Sequence, residues 1–143
     1  MNDTTAPLTV RHAYSAQPAR VFEGWVAPSL ASRWLFATPD GRIVRCDIDP
    51  RPGGALVITD RRAGDDVEHR GAFVEVDPPR RLVFTFSVPM YSSVVTTVTI
   101  DLASAGTGCE LTLVHEGVVP EWASQTEQGW RGLLDALARV VGG

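Results

Sequence analysis

A chain of 143 residues, 44% of them hydrophobic and 21% charged, with a mean hydropathy of +0.01, has the length of one domain with its own core, since domains run to about 100–200 residues. No apolar run exceeds four residues, far short of the roughly 18 that suggest a membrane span, and the composition is too apolar for intrinsic disorder. A formal net charge of −4, with all 13 basic residues arginine, argues against nucleic acid as a partner, which needs a cationic footprint. No basic stretch followed by an apolar segment opens the chain, so a cytoplasmic location is expected, with Cys46 and Cys109 as reduced thiols.

Residues 1–6 are polar or small and are expected to form a flexible N-terminus, with a single domain over 7–141. Leu8, Val10, His12 and Tyr14 alternate with polar or small residues, the period-two signature of a half-buried strand. Pro18 then opens a helix carrying Val21, Phe22, Trp25 and Val26 on one stripe. A second short helix is predicted after Pro28, through Leu30 and Trp34.

From Arg42 to His115 the pattern is that of strands. Val44, Cys46 and Ile48 are predicted on one face before the turn at Pro50 to Gly54, and Leu56 and Ile58 resume the alternation. Arg61 to Asp66 reads as a polar hairpin loop, and Val67 to Val76 as a strand ended by Asp77-Pro78-Pro79. Leu82, Phe84, Phe86 and Val88 share a face of the next strand; Val94, Thr96, Val98, Ile100 and Leu102 are predicted to point inward from another. Leu111, Leu113 and His115 close the series. The last segment is predicted as one long helix from Pro120, with Trp122, Trp130, Leu133, Leu134, Leu137, Val140 and Val141 on a broad apolar face. One strand, two short helices, about six strands and a long helix define an α+β fold with an antiparallel sheet, across which the last helix lies.

Few residues carry recognisable chemistry. His12, His69 and His115 are far apart, and with no HxxxH, HxH or CxxC no metal site is expected. His115 shares the inward phase of Leu111 and Leu113, where an imidazole serves either as a satisfied core residue or as a ligand or acid–base group. Cys46 is expected to be an inert buried thiol, and Asp47 and Asp49 to lie on a solvated face. Gly53-Gly54 lacks the GxGxxG spacing of a phosphate cradle and reads as a tight turn. Gly129 and Gly132, each costing about 1 kcal/mol against Ala in a helix interior, flank Trp130. They serve either close contact between helix and sheet or space for a ligand beside the indole.

Set side by side, several segments resemble one family. These are Pro18-Ala19-Arg20-Val21-Phe22, Trp25 and Trp34, the run Cys46-Asp47-Ile48-Asp49-Pro50-Arg51-Pro52-Gly53-Gly54, and Gly71. They continue with Asp77-Pro78-Pro79-Arg80-Arg81-Leu82-Val83-Phe84-Thr85, Gly108, Leu111-Thr112-Leu113-Val114-His115, and Gly129-Trp130 with Leu133, Leu134 and Leu137. In order and spacing, from about Val10 to Val140, they resemble the family named for the activator of the ninety-kilodalton heat-shock protein's ATPase, in the SRPBCC (START-like, birch-pollen-allergen-like) superfamily.

The resemblance implies a helix-grip fold: a curved antiparallel sheet of six to seven strands around a long C-terminal helix, with a cavity between them. Members of the superfamily include lipid and hormone carriers, aromatic cyclases and co-chaperone modules, so fold alone leaves the function open. The extra N-terminal chaperone-binding domain of the eukaryotic co-chaperone is expected to be lacking. The first expectation is a binder of a small hydrophobic, aromatic or lipid-like ligand, without a cofactor. Its expected walls are Trp34, Leu56, Phe84, Phe86, Val98, Leu113, Trp130, Leu134 and Leu137, with Arg70 and His115 as inward polar groups that orient the ligand. The alternatives are a cyclase- or hydrolase-like enzyme drawing on His115, Asp60 or Tyr91, and a stress-response module that contacts a chaperone. A monomer or a homodimer is expected, the latter through free strand edges.

Overall fold

The computed structural model describes residues 7–142, so the N-terminal segment 1–6 lies outside the described residues. Seven antiparallel strands form one curved sheet in the order β1-β7-β6-β5-β4-β3-β2. The strands are β1 Leu8–Tyr14, β2 Arg42–Ile48, β3 Ala55–Arg62, β4 Asp65–Asp77, β5 Arg81–Phe86, β6 Thr96–Ala105 and β7 Gly108–Glu116. Strands β2 to β7 are a simple meander, while β1 pairs with β7 at the far edge. The chain must therefore cross the sheet between β1 and β2, and it does so through α1 (Pro18–Val26) and α2 (Pro28–Ala31). A short 3-10 turn, Pro120–Trp122, leads into α3 (Ala123–Val141), which packs against α1 and β1. This is the α+β helix-grip architecture that the alternation and the final helical period imply.

The core forms where the predicted apolar phases meet. On β7, Leu111 and Leu113 lie opposite Leu102 and Ile100 of β6, and all four are buried. Leu134, Leu137 and Val141 bring α3 down on this face beside Trp25 and Trp34 of the crossing segment, and all five are buried. Each such side chain contributes about 1.5–3 kcal/mol on burial. Trp25 meets Trp34 edge-on, ring centroids 4.7 Å apart at 87°. Gly24 makes the junction of α1 and α3 close: a Cβ there would lie 2.7 Å from Leu137 Cδ1. The helix is thus pressed flush along its C-terminal half.

Four local expectations are corrected. The alternation along β2 is interrupted by a bulge between Ile43 and Arg45, which turns Val44 outward and gives Ile43, Cys46 and Ile48 the inner positions. The β3–β4 connection is only Ala63-Gly64, because both residues take positive φ (51° and 85°), as tight hairpin loops require. Strand β6 begins at Thr96, and Val94 belongs to an exposed loop, not to the inward face. Trp122 lies in the 3-10 turn before α3 and is 52% exposed, so the buried stripe of the helix starts with Trp130.

Candidate functional site

At the N-terminal half of α3 the packing opens. A cavity of about 260 Å³ lies between α3, the loop after α2, the β3–β4 hairpin and the end of β5. A second, of about 440 Å³, runs on beneath the β5–β6 loop to Val118 and Trp122. Both are lined by Phe86, Val88, His115 and Thr126, so the two form one continuous groove.

Small residues of α3 border the opening. Thr126 and Gly129 face the first cavity beside Trp130. A Cβ at Gly129 or at Gly132 would meet nothing within 4 Å, which decides between the two readings of these glycines: neither serves close contact with the sheet. The opposite wall depends on Gly71. A Cβ there would lie 1.7 Å from the backbone oxygen of Thr85, so only glycine lets β5 approach at this point. Beyond it Arg70 and Ser87 exchange both backbone hydrogen bonds, at 3.0 and 2.9 Å. This pairing brings Phe86 beside His69, ring centroids 6.1 Å apart.

Phe36 completes the aromatic wall. Its φ is 60°, a left-handed conformation that costs a bulky residue of order 1–3 kcal/mol. The ring is held by stacking on His69 at 4.6 Å and on Phe86 at 4.9 Å. Trp130 lies 5.8 Å away, tilted by 59°.

Two imidazoles share this wall. Trp130 Nε1, which can only donate, gives its hydrogen to His115 Nδ1 at 3.0 Å. The His115 proton therefore sits on Nε2 and is donated to Thr96 Oγ1 at 2.7 Å. Thr96 passes its own hydrogen to the Phe86 carbonyl at 3.1 Å. Both nitrogens of His115 are thus engaged in a relay that ties α3 to β7, β6 and β5. His69 differs: its Nδ1 donates to the Ile58 carbonyl at 3.2 Å, which leaves the lone pair of the neutral ring on Nε2. Burial pushes both imidazoles down to about 4, with a smaller lowering of His69 by the Arg62 charge.

The residues expected to form the site divide into three groups. Phe86, His115 and Trp130 line the cavity. Trp34, Leu56, Phe84, Val98, Leu113, Leu134 and Leu137 are at most 2% exposed within the core, because α3 lies flush on the sheet below the opening. Arg70 is corrected outright: it is exposed on the outer face of β4, paired with Glu68. The inward phase of β4 starts from Val67 and carries His69 instead. Sequence reasoning missed His69 although Val67, His69 and Phe73 have the same parity. It also missed Phe36 and Thr38, which stand in a loop where no period operates, and Arg62, which ends β3 in phase with Leu56, Ile58 and Asp60. Asp60, by contrast, is fully buried behind this wall, and Tyr91 is exposed on the rim of the second cavity.

Other reactive groups lie elsewhere. The Cys46 thiol is pushed up to about 11 by burial and points at the Pro28 carbonyl, 3.8 Å away. Among the described residues, no group of three or more His, Cys, Asp or Glu side chains is placed to hold a metal ion. No helix there is long and apolar enough to cross a membrane.

A curved antiparallel sheet gripping a long helix, with an apolar groove at the helix's N-terminal end, defines a helix-grip domain of the SRPBCC type. Within that class the chain belongs to the family described as activator of Hsp90 ATPase homolog 1-like protein, whose model matches residues 15–142. Solved structures share the fold. Protein CV1439 from Chromobacterium violaceum is similar with a TM-score of 0.87 at 24% identity, over 96% of this chain and 97% of that one. Protein NE0264 from Nitrosomonas europaea gives 0.81 at 23%, over 95% and 94%. An AHSA1-like protein from Aeromonas hydrophila gives 0.84 at 21%, over 96% and 92%. No curated protein matches the sequence.

Proposed function

We propose that the protein binds a small hydrophobic ligand, aromatic or lipid-like, in the groove formed by the two connected cavities. The observation that carries this reading is the space at Gly129. A helix interior that keeps glycine forgoes about 1 kcal/mol, and no neighbour within 4 Å requires it. What the glycine leaves is an opening walled by Phe36, Phe86 and Trp130, in the manner of ligand pockets that are apolar with a few placed polar groups. The strained backbone of Phe36 is in keeping with a ring positioned for contact.

Binding is favoured over turnover by the state of His115. With Nδ1 accepting from Trp130 and Nε2 donating to Thr96, neither nitrogen is free to exchange a proton with a ligand, so the imidazole shapes the wall. The test is titration with the neutral fluorophore N-phenylnaphthylamine, followed by amide shifts and by tryptophan fluorescence. Shifts are expected at Phe36, His69, Phe86, Gly129 and Trp130. Gly129→Leu, which projects a side chain into the opening while favouring the helix, is expected to abolish them. Saturable binding that is indifferent to this substitution, or no shift at these residues, would refute the reading.

A further inference from the structure

The hairpin end of the first cavity holds a polar arrangement that an apolar ligand would not need. Strand β3 directs Leu56, Ile58, Asp60 and Arg62 to one side by simple alternation, and Asp60 is fully buried there. Its Oδ2 accepts hydrogen bonds from Thr38 Oγ1 at 2.7 Å and from Arg62 Nε at 2.9 Å. Its Oδ1 is buried without a partner and lies where a Cβ on Gly41 would come within 2.5 Å. A buried carboxylate with one bare oxygen is a poor source of stability, since desolvation exceeds what a single ion pair returns. Its two partners, however, both line the cavity. The carboxylate holds them in place.

Arg62 is the charged residue among those that line this cavity. Because Nε is committed to Asp60, the terminal nitrogens of the guanidinium are left as a planar pair of donors for a bound group. His69 lines the same space with an acceptor, its Nε2 lone pair. Between these polar points lie the faces of Phe36 and Phe86, stacked within 22° of parallel, and the indole of Trp130.

We propose that this cavity takes a small aromatic acid, its carboxylate on the terminal nitrogens of Arg62 and its ring among Phe36, Phe86 and Trp130. A ring hydroxyl, where present, donates to His69 Nε2. Asp60 and Thr38 act as positioning residues. The inference rests on the binding reading above and narrows it to a ligand class. A guanidinium presents parallel donors that match a carboxylate in geometry as well as charge, whereas a neutral apolar ligand would leave them unpaired in a partly dehydrated site.

The experiment compares affinities for naphthoate, its neutral methyl ester and hydroxynaphthoate. In the native protein naphthoate is expected to bind about tenfold or more tighter than the ester, the scale of a hydrogen bond to a charged group. R62Q is expected to remove that preference, and R62K to restore part of it. Because R62Q strands the Asp60 carboxylate, the double variant D60N/R62Q, which removes both charges and leaves no carboxylate unpaired, is measured beside it and should show the same loss. H69F should cancel any advantage of hydroxynaphthoate over naphthoate. If the ester binds as tightly as the acid, or if the acid preference survives R62Q and D60N/R62Q, this inference fails and the binding reading stands. If neither acid nor ester binds, both fail.

Discussion

Acidification is expected to unfold the domain through its two buried imidazoles, in a pH range where carboxylates contribute little. His69 and His115 titrate near 6.5 in the unfolded chain and are held down to about 4 in the folded protein, chiefly by burial. Between those values the unfolded state binds more protons than the folded one, so stability falls as pH falls. It is fully present above pH 6.5 and is lost progressively towards pH 4. Each ring contributes about 1.4 kcal/mol per pH unit, so two rings give a limiting slope of about 2.7 kcal/mol per unit and an order-of-magnitude loss of about 6 kcal/mol across the window. That is comparable with the whole stability of a typical domain, about 5–15 kcal/mol. For His115 the cause is visible in the geometry: a protonated Nδ1 cannot accept from Trp130 Nε1. Urea unfolding from pH 7.5 to 4.5, followed by tryptophan fluorescence, measures the slope. His115→Gln offers an amide oxygen to Trp130 and an amide N–H to Thr96 without a titrating proton, and should halve the slope. Stability that is flat between pH 6.5 and 4.5, or an undiminished slope in the glutamine variant, would refute the assignment.

The glycines supply further tests with opposite signs. Gly129→Ala and Gly132→Ala meet open space and should each stabilise by about 1 kcal/mol, read as a rise of about 3–5 °C in a thermal melt. Gly24→Ala gains the same propensity but sets a Cβ 2.7 Å from Leu137 Cδ1 and 3.2 Å from Val141 Cγ1; overpacking of about 1–3 kcal/mol should leave it less stable than the native protein by denaturant midpoint. Gly71→Ala drives a Cβ into the Thr85 carbonyl at 1.7 Å and should cost about 3 kcal/mol or more, with loss of a cooperative melt at the native temperature.

The parts of the fold that were legible in the sequence are those governed by a local period. Leu111, Leu113 and His115 kept the phase of β7, and Leu134, Leu137 and Val141 kept that of α3. The period failed where a long-range event shifted it. The bulge in β2 exposes Val44 because pairing with β3, invisible in the segment itself, sets the register. The 3-10 turn does the same to Trp122. Core and cavity were harder to separate, because a leucine under a flush helix and a leucine beside a void have the same hydrophobicity. Leu134 is sealed while the adjacent Leu133 faces the opening, a distinction set by the course of α3 over the sheet.

The site's polar groups were hidden for a different reason, and Asp60 shows what signal remained. Phe36 and Thr38 occupy an aperiodic loop, so no window of sequence could place them. Arg62, however, continues the inward series Leu56, Ile58, Asp60, and a carboxylate followed two positions later by a guanidinium on an otherwise apolar face puts both members of an ion pair on one side of the sheet. On a solvated face such a pair is unremarkable and worth little. Here the sheet faces the helix, so the same spacing places a charge pair at the boundary of the core, where it is stable only if its donors and acceptors are taken up. Arg62 is held by Nε alone and lines the cavity, so the pair is incompletely satisfied on the guanidinium side, while the bare Asp60 Oδ1 is turned toward Gly41 and away from the cavity wall. That asymmetry is the physical reason to look for an acceptor-bearing ligand at Arg62, whereas His115, the more conspicuous residue in the sequence, has spent both nitrogens on the fold.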